Sequence, residues 1–342
     1  MAVHAGPSAL ISGCAGPTLS APEAAFFERY NPWGLILFKR NCETPEQIAA
    51  LTASYRRAVG RPNALVFIDQ EGGRVQRLGP PSNFWRKYPP ASAYGALYER
   101  NPLQGLRAAR HAGRLIAADL HAIGITADCL PVLDVPQDDG HAIIGNRAYG
   151  ATPERVILLA RAHMTGLIEG GVLPVIKHIP GHGRARADSH LTLPVVEATR
   201  AELQRIDFPP FAAFADAPMA MTAHVVYTAL DKDNPATLSR RIIANVIRRS
   251  IGFGGLLMTD DLSMRALSGT MTEKVTRALW AGCDMILHCN GNLDEMTEVA
   301  EAAGRLSGKA ARRARRALQS VRKPMPYALK TALKDLQALE TV

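Results

Sequence analysis

Residues 177–190 of this 342-residue sequence read Lys-His-Ile-Pro-Gly-His-Gly-Arg-Ala-Arg-Ala-Asp-Ser-His, a glycine-rich run holding three histidines, a lysine and an aspartate. Imidazoles and a carboxylate can ligate a metal. However, the sequence has no H-E-x-x-H helix, and Pro180 with its neighbouring glycine breaks helical spacing between His178 and His182. The same residues can do acid/base work, because a carboxylate such as Asp188 can orient the His190 imidazole and hold it near its operating pKa. A loop pair bonded only to backbone is the plain alternative. A second cluster, Thr259-Asp260-Asp261-Leu262-Ser263-Met264, closes an apolar run. A carboxylate ending a barrel strand is held where a covalent nucleophile is needed, which favours Asp260 over Asp261; helix N-caps are the competing reading for both. The third cluster runs from Asp69 through Gln70, Glu71, Gly72, Gly73, Arg74, Val75 and Gln76 to Arg77. A carboxylate and guanidinium groups together suit a polyol, although such a loop could also pair with itself.

These residues need elements to hold them. Short apolar runs at 10–13, 34–38, 65–69, 125–134, 172–178, 219–226, 255–260 and 284–288 read as strands. Amphipathic stretches at 45–58, 105–123, 153–169, 201–214, 239–249 and 273–281 read as helices between them. Alternation of this kind predicts βαβ units, and eight strands favour a closed (β/α)₈ TIM-type barrel, an α/β fold. The polar residues Asp69, Asp134, Lys177, His178, His224, Asp260 and His288 fall at the C-terminal ends of these runs, where barrel enzymes place their chemistry. A doubly wound sheet would show a glycine fingerprint after its first strand, and the only candidate, at 252–255, precedes one. No linker or repeat divides the chain, so residues 1–342 are expected to form one catalytic barrel domain, with the Pro- and aromatic-rich stretch 80–90 a loop at its mouth.

Forty Lys and Arg against 31 Asp and Glu give a net charge of +9, but eight of the basic residues lie between Arg305 and Lys323 with no acid among them. Without that segment the charge is +1. Ala310, Ala314, Ala317 and Val321 recur there at helical spacing, which predicts a surface helix with one buried stripe, within a basic helical segment at about 305–342. Neither nucleic acid nor membrane is the expected partner. The five cysteines are odd in number and unpaired in pattern, so neither a disulfide framework nor a structural zinc site is expected. Ile11-Ser12-Gly13-Cys14 has the look of a lipoprotein cleavage box. With no Lys or Arg before Arg29, the expectation is a cytoplasmic protein.

Together the three clusters resemble glycoside hydrolase family 3, and within it the single-domain bacterial β-N-acetylglucosaminidases of cell-wall recycling. The Lys-His-Ile-Pro-Gly-His-Gly run with Asp188-Ser189-His190 carries most of the resemblance, and the Asp69 and Asp260 blocks match as well. The resemblance spans residues from about 11 to about 291. It implies that Asp260 is the nucleophile of a retaining glycosidase, His190 its general acid/base and Asp188 the carboxylate supporting that histidine. It implies that Asp69, Arg77, Arg147 (in Gly145-Asn146-Arg147-Ala148-Tyr149), Lys177 and His178 hold a terminal N-acetylglucosamine. The implied substrate is a muropeptide fragment carrying anhydro-N-acetylmuramic acid, cleaved by a monomer with no metal or other cofactor, with water or phosphate as acceptor. Gly181 and Gly183 suggest a loop that closes over the sugar. Two other classes stay open on the residues alone: a metal-dependent barrel hydrolase using His178, His182 and His190, and a non-catalytic sugar-binding barrel.

Overall fold

The computed structural model describes residues 6–137, 140, 142–185, 192–337 and 339. Eight strands form a closed barrel: β1 (Ser8–Ser12), β2 (Pro32–Leu37), β3 (Leu65–Ile68), β4 (Ala127–Asp128), β5 (Leu173–Ile179), β6 (Met219–Thr222), β7 (Leu256–Asp261) and β8 (Met285–His288). Each is parallel to its neighbours in chain order, and β1 pairs with β8 to close the ring. The helices between them are α1 (Ala21–Tyr30), α2 (Pro45–Ala58), α3 (Ala91–Arg100), α4 (Pro102–Ala122), α5 (Pro153–Glu169), α6, α7, α8 (Met271–Ala281) and α9 (Leu293–Ala303). α6 consists of Arg200–Glu202, a wide π turn at Leu203–Asp207, and Phe208–Ala213; α7 runs from Arg240–Ile242 into a π stretch at Ile243–Ser250.

Strand alternation explains which side chains reach the site. Leu65 and Phe67 face the barrel interior while Val66 and Ile68 pack outward on the helices, and Leu256 and Met258 alternate with Leu257 in the same way. Extending that period of two past the apolar layers brings Asp69, Lys177 and Asp260 to the top of the interior stack. Gly34 makes room for it, since a Cβ there would lie 2.5 Å from the Phe67 ring.

All eight expected strands are present, with local differences. The 125–134 run pairs as a strand only at Ala127–Asp128, with one further bridge from Val132 to Lys177. Pro131 has no N–H to donate to a ladder. The chain beyond it turns across the mouth and brings Asp134 to His178. The Pro- and aromatic-rich stretch is a loop beside the mouth, as expected, though it does not line the cavity: its Tyr88 carbonyl accepts from Gly73 at 2.8 Å, Tyr88 donates to Asp119 of α4 at 2.6 Å and Arg86 pairs with the same carboxylate. Ile11 and Ser12 belong to β1, and Cys14 is buried.

The basic segment forms α10 (Gly308–Gln319), followed by α11 (Leu329–Gln337) against α4. Its buried stripe is shorter than expected. Ala314 and Ala317 join the barrel's interior residues, Ala310 is half-buried, and Val321 is exposed beyond the helix end. Among the described residues no helix is long and apolar enough to cross a membrane.

Candidate functional site

A cavity of about 300 Å³ opens at the C-terminal ends of the strands, at the small end of the range for ligand pockets. Asp69, Arg77, Arg147, Lys177, His178 and Asp260, all singled out from sequence, line it. Asp188 and His190 lie outside the described residues.

Lys177 is the centre of the arrangement. Only 2% exposed, its ammonium sits 2.8 Å from Asp69 Oδ1 and 2.6 Å from Glu71 Oε1. Arg77 Nη2 donates to Asp69 Oδ2 at 2.9 Å, and Arg147 grips Glu71 with two bonds of 2.8 Å. The guanidinium of Arg77 also lies over the Phe38 ring, 4.8 Å from its centroid. Burial alone would push both carboxyls up, but Lys177 and Arg77 hold Asp69 far below the usual range, and Arg147 and Lys177 bring Glu71 down to about 2. The same pairs raise Lys177, Arg77 and Arg147 despite burial. The result is a cage of fixed, paired charges lining the cavity, and these groups suit a ring of hydroxyls.

Glu71 was not singled out from sequence, although a signal for it was present. Residues two apart in an extended segment share a face, so a buried Asp69 implied a buried Glu71, with Gln70 between them turned the other way. Gln70 indeed braces the loop, accepting from the backbone N–H groups of Arg77 and Leu78 and donating to the Leu78 carbonyl. Beneath it Asp128 accepts from the Gln70 N–H at 2.9 Å; burial raises its carboxyl to about 8.

Asp260 closes the opposite wall. Its Oδ1 accepts from the Asp261 N–H at 2.8 Å. Burial favours the neutral acid, but His224, His178, that N–H and Lys177 outweigh it and lower the pKa, leaving an ionised carboxylate. Asp261 has a different task. Its side chain accepts from Ser263 N and Oγ and from Cys289 N, tying the β7 end to the strand beside it. Neither aspartate caps the following helix, which starts at a Thr270–Glu273 capping box; the N-cap reading is corrected accordingly. His224 is fixed by Thr237 (2.7 Å) and the Asp261 carbonyl (3.1 Å). His288 lies on the outer side of β8, 3.9 Å from Glu295.

The loop entered through His178 is anchored at its start. Asp134, fully buried, accepts from His178 Nδ1 at 2.7 Å and from the backbone N–H groups of His178 and His182. Tyr227 donates to the Gly181 carbonyl at 2.6 Å, and Arg184 pairs with Asp207 at 2.7 Å. Gly183 is required for close packing here: a Cβ would fall 2.0 Å from the Val135 carbonyl oxygen. The His178 and His182 rings meet edge to face at 5.6 Å. Among the described residues no group of three His, Cys, Asp or Glu side chains forms a metal site.

Known proteins share this architecture. The family model "Glycosyl hydrolase family 3 N terminal domain" matches residues 18–321. A β-hexosaminidase of Nitrosomonas eutropha is 38% identical over 285 residues, covering 82% of this chain and 80% of the relative. NagZ from Neisseria gonorrhoeae superposes with a TM-score of 0.83 at 31% identity, over 99% of this chain and 97% of that one. A glycoside hydrolase family 3 β-N-acetylglucosaminidase from Paenibacillus sp. str. FPU-7 also superposes with a TM-score of 0.83 at 28% identity; the match covers 96% of this chain and 66% of that longer one. With the family model spanning most of the sequence and the same barrel in relatives of known structure, the chain belongs to glycoside hydrolase family 3.

Proposed function

We propose that the protein is an exo-acting, retaining β-N-acetylglucosaminidase that removes non-reducing terminal N-acetylglucosamine from anhydro-muropeptides in cell-wall recycling. The observation that carries this reading is the cavity itself: a buried cage of Asp69, Glu71, Lys177, Arg77 and Arg147 sized for one sugar, with the ionised Asp260 facing it. The β-hexosaminidase relatives support the sugar class.

In this reading the cage and His178 hold the sugar hydroxyls while Asp260 attacks the anomeric carbon. His190, as imidazolium, delivers its proton to the departing glycosidic oxygen. The glycosyl–Asp260 ester then meets water, which His190, now neutral, deprotonates as it attacks. Two displacements retain the anomeric configuration. Asp188 orients His190 and supports its charged form. A neutral base repels an anionic acceptor less than a carboxylate would, so phosphate competes with water at this step. The enzyme works as a cytoplasmic monomer, one catalytic barrel over residues 1–342, with no cofactor.

The test is turnover of a chromogenic β-N-acetylglucosaminide with and without phosphate, the products identified by mass spectrometry and the first-formed anomer by NMR. The reading expects the β-anomer of N-acetylglucosamine, its β-1-phosphate when phosphate is present, and a transient glycosyl adduct on Asp260. Release of the α-anomer first, or activity abolished by a chelator and restored by metal, would overturn it.

A further inference from the structure

At the N-terminal ends of the strands, away from the cavity, positive charge outnumbers negative. Asp284, at the foot of β8, is shared by two arginines: Arg248 Nη2 lies 2.7 Å from one carboxyl oxygen and Arg313 Nη1 2.8 Å from the other. The oxygen that meets Arg248 also accepts from the Leu257 N–H at 3.0 Å. Arg248 Nη1 donates in turn to the carbonyls of Phe253 (2.9 Å) and Gly255 (2.8 Å). Both guanidinium groups are therefore fixed in place, and one carboxylate serves the two. Burial lowers the Arg248 pKa, Asp284 opposes that, and repulsion from Arg313 lowers it further.

Arg313 is one of four cations on a single face of α10. Lys309, Arg312, Arg313 and Arg316 are spaced i, i+3, i+4 and i+7, so their side chains are helical neighbours, and the helix holds no acidic residue. Like charges at these spacings work against the helix that carries them. The four line a cleft of about 280 Å³ whose remaining lining residue is Gly254, in the turn before β7. Gly254 leaves the cleft open, since a Cβ there would meet nothing within 4 Å. Among the described residues no carboxylate pairs with Lys309, Arg312 or Arg316. With Arg248 beside them, five cations share the single carboxylate of Asp284.

A phosphate group suits this arrangement. It carries about two negative charges at neutral pH, and its oxygens take the two-bond fork of a guanidinium. We infer that this cleft is a binding site for a small soluble phosphate, a diphosphate or a phosphate monoester, held by Lys309, Arg312 and Arg316 against the fixed guanidinium of Arg313. The inference is independent of the glycosidase reading, because the site lies at the other end of the barrel from Asp260. Occupancy cancels the repulsion along the cationic face, so the ligand binds the folded chain and stabilises it.

The experiment is calorimetric titration with pyrophosphate at constant ionic strength, with melting temperatures measured alongside. It compares the wild type, the double variant Arg312→Gln with Arg316→Gln, and Arg315→Gln. All three side chains are exposed, and Arg315 lies on the same helix outside the cleft. The wild type is expected to bind pyrophosphate and to melt about 4 °C higher when the ligand is at ~100 times its dissociation constant. The double variant should bind at least about ten-fold more weakly and lose that shift, while Arg315→Gln keeps both. A wild type that does not bind overturns the inference. So does unchanged affinity in the double variant, which puts the ligand elsewhere, or equal loss in Arg315→Gln, which reduces the effect to diffuse charge. Phosphatidylglycerol vesicles and a short RNA are tested in parallel. Binding of either by a chain that ignores pyrophosphate makes this face a docking surface for a macromolecule and overturns the inference as well.

Discussion

Replacing Glu71 by glutamine keeps the shape of the cage but removes one of its two anionic supports. The glutamine amide must turn an NH₂ toward either Lys177 or Arg147, both of which are donors only. In the wild type Lys177 and Arg147 depress the buried Glu71 carboxyl from 4.5 to about 2. That depression is worth about 3 kcal/mol of folding stability at neutral pH, by linkage. The figure agrees with the roughly 3–5 kcal/mol lost when one partner of a buried pair is deleted. The sign follows from the direction of the shift. A carboxyl that is more acidic in the folded state stabilises fully above its unfolded pKa of 4.5, and loses that stabilisation as pH falls toward 2. Roughly half should remain at about pH 3. Urea denaturation of wild type and Glu71→Gln at neutral pH, and again near pH 3, measures the difference directly. A difference under about 1 kcal/mol at neutral pH, or one as large in acid as at neutrality, would refute the view of this cage as fixed charges.

Other expectations follow from the same geometry. Asp260→Ala should abolish turnover while leaving ligand affinity and melting temperature nearly intact, and azide should restore slow turnover with inverted product; substantial residual activity without azide would shift the role to Asp261. Asp69→Ala deletes the carboxylate shared by Lys177 and Arg77 and should lower kcat/KM by about two orders of magnitude, in the range for losing hydrogen bonds to a charged group; an unchanged value would place Asp69 outside sugar binding. His190→Ala should slow substrates with alkoxide leaving groups far more than activated phenols, with Asp188→Ala showing the same bias in milder form. A series of aglycones of graded acidity measures that slope, and equal loss across the series would remove His190 from the proton-donor role.

Much of this barrel was readable in advance because its interior obeys a period of two. The apolar residues 65, 67, 256 and 258 mark the inward face, and the same count continued by one step reaches Asp69 and Asp260. What escaped depends on contacts between segments distant in sequence. Glu71 owes its place to Lys177 and Arg147, far along the chain, and although Asp134 stood out at a strand end, its pairing with His178 depends on the way the segment after Pro131 turns back over β5. The wide turn in α6 had a marker that went unread, Pro209 and Pro210, which cannot donate to the helical ladder, whereas the π stretch in α7 contains no proline or glycine to announce it. Gly183 carries a different lesson. Glycine in a loop invites a reading of freedom, yet here it marks a contact too close for any side chain.

α10 lies across the opposite end of the barrel from the cavity. It presses Ala314 and Ala317 against the interior side chains, and Arg313 bonds to Asp284 at the foot of β8. Two methyl groups thus serve as the cork of the bottle. Because they are the smallest side chains that exclude water, they let the helix settle within backbone distance, and a leucine at either position would lift it off its seat. All eight staves lie within the first 288 residues, yet the base of the vessel is closed by residues 314 and 317. A chain cut short between those points would hold a finished mouth above a leaking floor, with greasy interior side chains wetted from below, a form prone to aggregate.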